Sequence, residues 1–170
     1  MDSGFRLETR RLVLRPFRPE DLDGIHEVLG DAENMRYYPA PFTLEQSRRW
    51  IEWNLGHYHD HGFGLWALES KETGVLLGDC GLTPQTVDGR EEVEVGWHVH
   101  PRHQRRGLAT EAATECSRYA FEELGLSRLI SLIRPENLPS RRVAEKLGME
   151  IEKQVVHADL IHHVYRLSST

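Results

Sequence analysis

The chain is short of several things, and each shortage sets aside a class of protein. Its two cysteines, Cys80 and Cys116, stand far apart with no C-x-x-C unit, so neither a disulfide framework nor a thiolate metal site is expected. No apolar run approaches the length of a membrane span, and the opening MDSGFRLETRR lacks the apolar stretch of a leader; a soluble, cytoplasmic protein with no membrane partner is expected. Positive charge is in deficit, 21 Lys and Arg against 27 Asp and Glu, for a formal net charge of -6. Nucleic acid is held by broad fields of cations and is not an expected partner, whereas an acidic body suits amine-bearing molecules. No repeat, low-complexity tract or Pro/Gly/Ser linker interrupts the chain, and 170 residues suffice for one buried core, so residues 1–170 read as a single domain. The G-x-x-x-x-G-K-[ST] loop of nucleoside triphosphatases is missing as well.

What is present has a legible period. RLVLRP alternates Leu12 and Leu14 and stops at Pro16, which reads as a strand. RPEDLDGIHEVLG spaces Leu22, Ile25, Val28 and Leu29 at helical intervals with acids in its first turn. TLEQSRRWIEWNL opens on the capping pair Thr43 and Gln46 and aligns Leu44, Trp50, Ile51 and Leu55, a second helix. GLWALE, VLLGDCGLTP and EEVEVGWHV are strands separated by SKETG and QTVDGR, which predicts an antiparallel meander. The pattern then becomes helix from about Gly107 to Leu124, strand RLISLI, helix from about Pro139 to Leu147, and strands MEIEKQVV and HHVYRLS, with Gly125 and Gly148 at the expected C-caps. This order implies an α/β fold, a mixed sheet with helices on its faces.

One segment is unusual in an acidic chain. PRHQRRGLATEA, Pro101 to Ala112, sets Arg102, Arg105 and Arg106 beside Gly107 at a helix start. On charge alone it is a solvated basic turn. A strand, a donor-rich loop and a helix N-terminus also converge several N–H groups and the positive end of a helix dipole on one point, which is what a diphosphate requires. Gly107 admits an anion without a Cβ in the way, Ala109 keeps the first turn slim, and Arg105 and Arg106 can neutralise oxygens.

QRRGLA, Gln104 to Ala109, matches the Q/R-x-x-G-x-G/A signature of the GNAT N-acetyltransferases. LETRRLVLRPFRPED, HGFGLWALESKETGVLLGDCGL, VEVGW and RPENLPSRRVAEKLGM extend the resemblance over almost the whole chain, and they look like the RimJ/RimL-type branch. The resemblance implies a GNAT fold, with a mixed, mostly antiparallel sheet of about six to seven strands that contains a splayed parallel pair, flanked by about four helices. It implies acetyl-CoA as co-substrate, with its diphosphate on Gln104, Arg105, Arg106, Gly107, Leu108, Ala109 and Thr110. The pantetheine arm would enter the splay as a pseudo-strand against the main chain of Trp97, His98 and Val99. Gly96 fits a bulge at the splay point. Asn137 is either the N-cap of the helix that follows or a contact near the thioester, and one residue can serve both ends.

The implied reaction is direct acetyl transfer to a primary amine in a ternary complex. A protein or peptide N-terminal α-amine is the first acceptor to consider, with a polyamine, antibiotic or amino-acid-like amine as the alternative. A non-catalytic acyl-CoA-binding module and a homodimer are both compatible with the sequence. Glu94 alternates with Val93 and Val95 and is either a solvated strand carboxylate or the base that takes the ammonium proton. Many relatives donate a proton to the leaving thiolate from a tyrosine in the last helix; Ala144 stands there, and Ser140 of N-x-x-S is the implied substitute. The loop DAENMRYYPAPFT offers Tyr37, Tyr38 and Phe42 to an acceptor, with Asp31 and Glu33 able to attract a cation. HYHDH (His57, His59, His61), expected in a loop, and HVHPRH (His98, His100, His103) lack a recognised metal spacing, so no metal is expected. His98 or His100 could assist proton transfer.

Overall fold

A computed structural model describes residues 4–170; the first three residues of the MDSGFRLETRR opening lie outside it. Strands β1 (Leu7–Glu8) and β2 (Leu12–Arg15) lead through a 3-10 turn, Pro19–Asp21, into helices α1 (Leu22–Leu29) and α2 (Leu44–His61). Strands β3 (Leu65–Ser70), β4 (Leu76–Val87) and β5 (Arg90–Val99) follow, then a 3-10 turn, Pro101–His103, and helix α3 (Leu108–Glu122). Strand β6 (Arg128–Ile133), helix α4 (Leu138–Lys146) and strands β7 (Glu150–His157) and β8 (Leu160–Ser168) complete the order. All eight strands form one sheet in the order β1-β2-β3-β4-β5-β6-β8-β7. The strand that the alternation does not predict is β1, whose two residues are too short to carry a period.

The meander β2 to β5 is antiparallel, as expected. Asp88 and Gly89 take φ of 50° and 74°, the left-handed pair of a tight hairpin, and set the register Val87↔Arg90. From there the ladder runs unbroken to Gly78↔Val99, so the bulge expected at Gly96 does not exist. Gly96 pairs with Gly81, where a Cβ would stand 2.1 Å from the Gly64 carbonyl: that glycine admits the start of β3. The sheet opens because β6 diverges. Parallel pairing of β5 with β6 is confined to Glu94↔Ile130.

Helix α3 presents Leu108, Ala112, Ala113, Cys116 and Ala120 to Leu14, Trp66, Leu82 and Val95 on one face of the sheet. Its small residues let the helix lie close, and Cys80 and Cys116, distant in sequence, meet there at 3.7 Å between sulfurs. On the other face Ile25, Val28 and Leu29 of α1 and Ile51 of α2 bury against Leu65 and Ala67. Thr43 and Gln46 form the expected capping box, and α2 ends only at Gly62, which has φ 76°. HYHDH is therefore helical, a correction to the expected loop. The rings Trp53–His57 (4.2 Å) and His57–His61 (5.4 Å) continue the i, i+4 stripe in polar lettering that hides it. Among the described residues no helix is long and apolar enough to cross a membrane.

Candidate active site

At the vertex of the splay the Ser131 hydroxyl donates to the Val95 carbonyl (3.1 Å), and the Leu132 N–H donates to the Glu94 carboxylate (2.7 Å). Beyond the vertex, parity decides which backbone groups face the gap. His100 N–H bonds the Leu77 carbonyl (2.7 Å), and a Cβ on Gly78 would stand 1.9 Å from the His98 carbonyl. Even-numbered residues of β5 thus turn their main chain to β4, while Val95, Trp97 and Val99 turn theirs to the gap. Trp97 and Val99 thus leave their main chain on the gap side. His98 does not: its main chain belongs to β4, and its side chain points into a cavity on the same face as Glu94. The Val99 carbonyl accepts from Gln104 Nε2 (2.9 Å), which also donates to Asn34 Oδ1 (2.6 Å). Gln104 is therefore a tie between loops.

Arg105 and Gly107 sit at φ 64° and 76°, and Gly107 is the N-cap of α3 with no side-chain cap. The helix ladder starts with Glu111 N–H on the Gly107 carbonyl (3.0 Å), so the amides of Leu108, Ala109 and Thr110 precede any intrahelical acceptor. A Cβ on Gly107 would meet Arg11 Nη2 at 3.6 Å, and Glu111 holds that guanidinium through Nε at 2.8 Å. The sequence offered no signal for Arg11, which β2 carries in from the far end of the chain. Free amides, a positive helix end and exposed Arg105 and Arg106 together fit a diphosphate.

The cavity, of about 270 Å³, opens on the face of β5 that carries Glu94 and His98. Glu94 accepts from Gln85 Nε2 (3.1 Å) as well as from Leu132, yet burial prevails over both bonds and pushes its carboxyl up to about 7. Asp79 on β4 is fully buried and accepts from Trp50 Nε1 and from His98 Nδ1, each at 2.8 Å. The other His98 nitrogen meets the Tyr38 hydroxyl at 2.7 Å. Burial alone would push His98 down; the Asp79 carboxylate, aided by Glu94, more than reverses this and raises it. Asn137 Oδ1 accepts the Ser140 N–H (3.2 Å), the N-cap geometry, and both residues line the cavity. Ala144 is buried in the core.

Tyr37 and Tyr38 line the cavity, but Phe42 does not. Thr43 caps α2 directly after it, and Phe42 turns onto the helix, edge-on to Trp50 at 5.6 Å, in a shallow trough with Gln46, Arg49 and Trp53. Asp31 is engaged by the Asn34 N–H (2.7 Å), Glu33 pairs with Arg36 (3.6 Å), and neither lines the cavity. The HVHPRH histidines disperse, with His100 on Glu27 (3.2 Å) and His103 edge-on to His100 (5.6 Å). Among the described residues no cluster of metal-ligating side chains forms. Sequence reasoning also missed Trp50, Trp53, Arg134 and the β7–β8 hairpin residues His157, Leu160 and His162 in the wall. Asp79 had a signal, an acid inside the apolar run LLGDCGL; the hairpin had none.

A splayed parallel pair with an uncapped helix start at its end is joined by a family match: a model for the acetyltransferase (GNAT) domain fits residues 11–150. The chain belongs to the GNAT acetyltransferases. This GNAT chain is 36% identical to the YkkB protein of Bacillus subtilis (strain 168) over 156 residues, 91% of each. It is 30% identical over 157 residues to spermidine N(1)-acetyltransferase of Escherichia coli (strain K12), covering 90% of this chain and 80% of that one. An acetyltransferase from Agrobacterium tumefaciens str. C58 has the same fold, with a TM-score of 0.86 at 29% identity over 98% of this chain and 96% of that one. As a GNAT enzyme the protein is an acetyl-CoA-dependent N-acetyltransferase.

Proposed function

We propose that the enzyme acetylates a primary amine that enters the cavity beside Glu94, by direct attack in a ternary complex, and that an N-terminal α-amine is the acceptor its base suits best. The observation that carries this is a carboxyl raised to about 7 at the vertex of the splay. An α-ammonium titrates at roughly 7.7 to 8.0 and a lysine at roughly 10.4. A base near 7 is within about one unit of the first and more than three units short of the second, so proton removal is nearly balanced only for the α-amine. The RimJ/RimL-type motifs of the sequence favour the same acceptor.

In this reading acetyl-CoA lies with its diphosphate on the amides of Gly107, Leu108, Ala109 and Thr110, flanked by Arg105, Arg106 and Arg11. Its arm runs along the open main chain of Trp97 and Val99 toward Asn137. The co-substrate supplies the activated thioester. As the amine nitrogen bonds the acetyl carbon and the carbon–sulfur bond breaks, Glu94 takes the amine proton. Sulfur leaves as a thiolate with a pKa near that of a cysteine, roughly 8.5, so a hydrogen bond from the Ser140 hydroxyl is enough help. A non-catalytic module would have no use for a buried base. Release of CoA thiol with matched peptides, one with a free α-amine and one with only a lysine amine free, tests the reading. Faster turnover of the α-amine is expected, and a lysine preference would overturn it.

A further inference from the structure

We infer that the acceptor is a monoamine bearing an aromatic or bulky apolar group close to its nitrogen, and that polyamines are poor substrates. The inference rests on acetyl transfer at Glu94 and narrows its acceptor. It begins with the charges of the wall. Among the described residues that line the cavity Glu94 is the one carboxylate, and it faces Arg134, His98, His157 and His162. Asp79 is no substitute, because it is fully buried and both its oxygens are engaged, one by Trp50 and one by His98. Glu136 pairs with Arg134 at 3.2 Å, and Arg49 of the outer trough pairs with Glu45 at 3.7 Å. The amine under attack uses Glu94. A second ammonium a few bonds away would be desolvated near the Arg134 guanidinium with no free carboxylate in the wall to pair with.

The remaining wall has the opposite character. Tyr37, Tyr38, Trp50, Trp53 and Leu65 give it an apolar side, and the trough beyond shares Trp50 and Trp53 with it. The two indoles stack at 5.1 Å and 29°, and Trp53 keeps 42% of its surface exposed, an open ring beside the cavity mouth. These rings are held in place before anything binds. Asp79 fixes Trp50 through its indole N–H, and His98 fixes Tyr38 through its hydroxyl. Rigid aromatic surface of this kind gains contact area at little entropic cost. A ring or branched chain next to the amine would lie on it, as an arylalkylamine does and as a peptide N-terminus with a large first side chain does.

The test compares 2-phenylethylamine, a tripeptide with N-terminal Phe, the same peptide with N-terminal Gly, and spermidine, by kcat/KM for CoA release. Within each amine type the aromatic acceptor should win by about tenfold or more, the Phe peptide over the Gly peptide and 2-phenylethylamine over spermidine, the discrimination an apolar pocket supplies. The better of the two aromatic compounds tells whether the source is a free amine or a chain N-terminus. Trp53→Ala, at a half-open surface position, should shrink the Phe-over-Gly ratio by about tenfold. Spermidine equal to or better than phenylethylamine would overturn the inference, as would an unchanged ratio in the variant. Quenching of tryptophan fluorescence on titration with phenylethylamine and with spermidine reads the same preference without turnover. Acetylation of none of the four amines, with tight phenylethylamine binding, would therefore sink the transfer reading and leave the binding preference standing.

Discussion

At Glu94 two influences oppose each other, and their balance sets both rate and stability. Two hydrogen bonds favour the carboxylate and burial disfavours it, with burial the larger. If the carboxylate is the base, kcat/KM should climb as pH rises toward about 7, and Glu94→Gln should lose roughly 10²-fold at pH 7 and recover at alkaline pH. A pH–rate profile of the two proteins decides this; a variant as fast as wild type at pH 6.5 would remove Glu94 from the mechanism. The same carboxyl makes a separate claim on stability. Unfolded, it titrates at the ordinary value of 4.5, so between that pH and about 7 the folded form holds a proton that the unfolded form has released. Stability falls as pH rises through that window. Urea titrations at pH 5 and pH 8 should show Glu94→Gln gaining on wild type at the higher pH. Ser140→Ala should cost about tenfold in rate, one lost hydrogen bond of about 1.4 kcal/mol. The alternation of EEVEVGWHV made the facing of Glu94 legible, but its raised carboxyl was not, because Gln85 and Leu132 reach it only through the folded sheet.

At the scale of the element, the start of α3 was readable because its cues are local: basic residues, a glycine, then a helical period. Gly107 has φ 76°, where any side chain is strained, and an aspartate there adds a negative charge beside the uncapped amides. Gly107→Asp should weaken acetyl-CoA binding at least tenfold by calorimetry, and Gly107→Ala, which adds strain alone, should weaken it less. Equal affinities in wild type and Gly107→Asp would displace the diphosphate from this loop. Elsewhere local cues failed in instructive ways. The end of α2 was hidden because histidines fill its ring stripe, and the expected bulge at Gly96 was unneeded because the opening belongs to β6.

Across the whole molecule, the sheet brings together what no spacing announces. The parallel contact of β5 and β6 spans the crossover helix α3, and the cavity wall collects residues from α2, β4, β5 and the β7–β8 hairpin. The fold class followed from element order, whereas the aromatic wall and Arg11 did not, because each depends on which distant segments become neighbours. The cysteines show the same effect. Cys80 and Cys116 are buried where α3 crosses β4, and burial, followed by the neighbouring thiol, pushes Cys80 well above its ordinary value. In native protein neither thiol should react with an aromatic disulfide reagent faster than the chain unfolds, and rapid labelling would show that this part of the core opens.

The Gln104 side chain, which grips both Asn34 and the Val99 carbonyl, has a consequence for the order of events. Val99 ends the strand along which the acetyl-CoA arm is proposed to run, and Asn34 belongs to the segment that carries Tyr37 and Tyr38 to the cavity. A single amide thus joins the two substrate halves, and whatever one ligand does to that joint the other must feel to the same degree, since coupling between sites is reciprocal. Acceptor affinity should depend on whether acetyl-CoA is already bound, and Gln104→Ala should let the two bind more nearly as strangers.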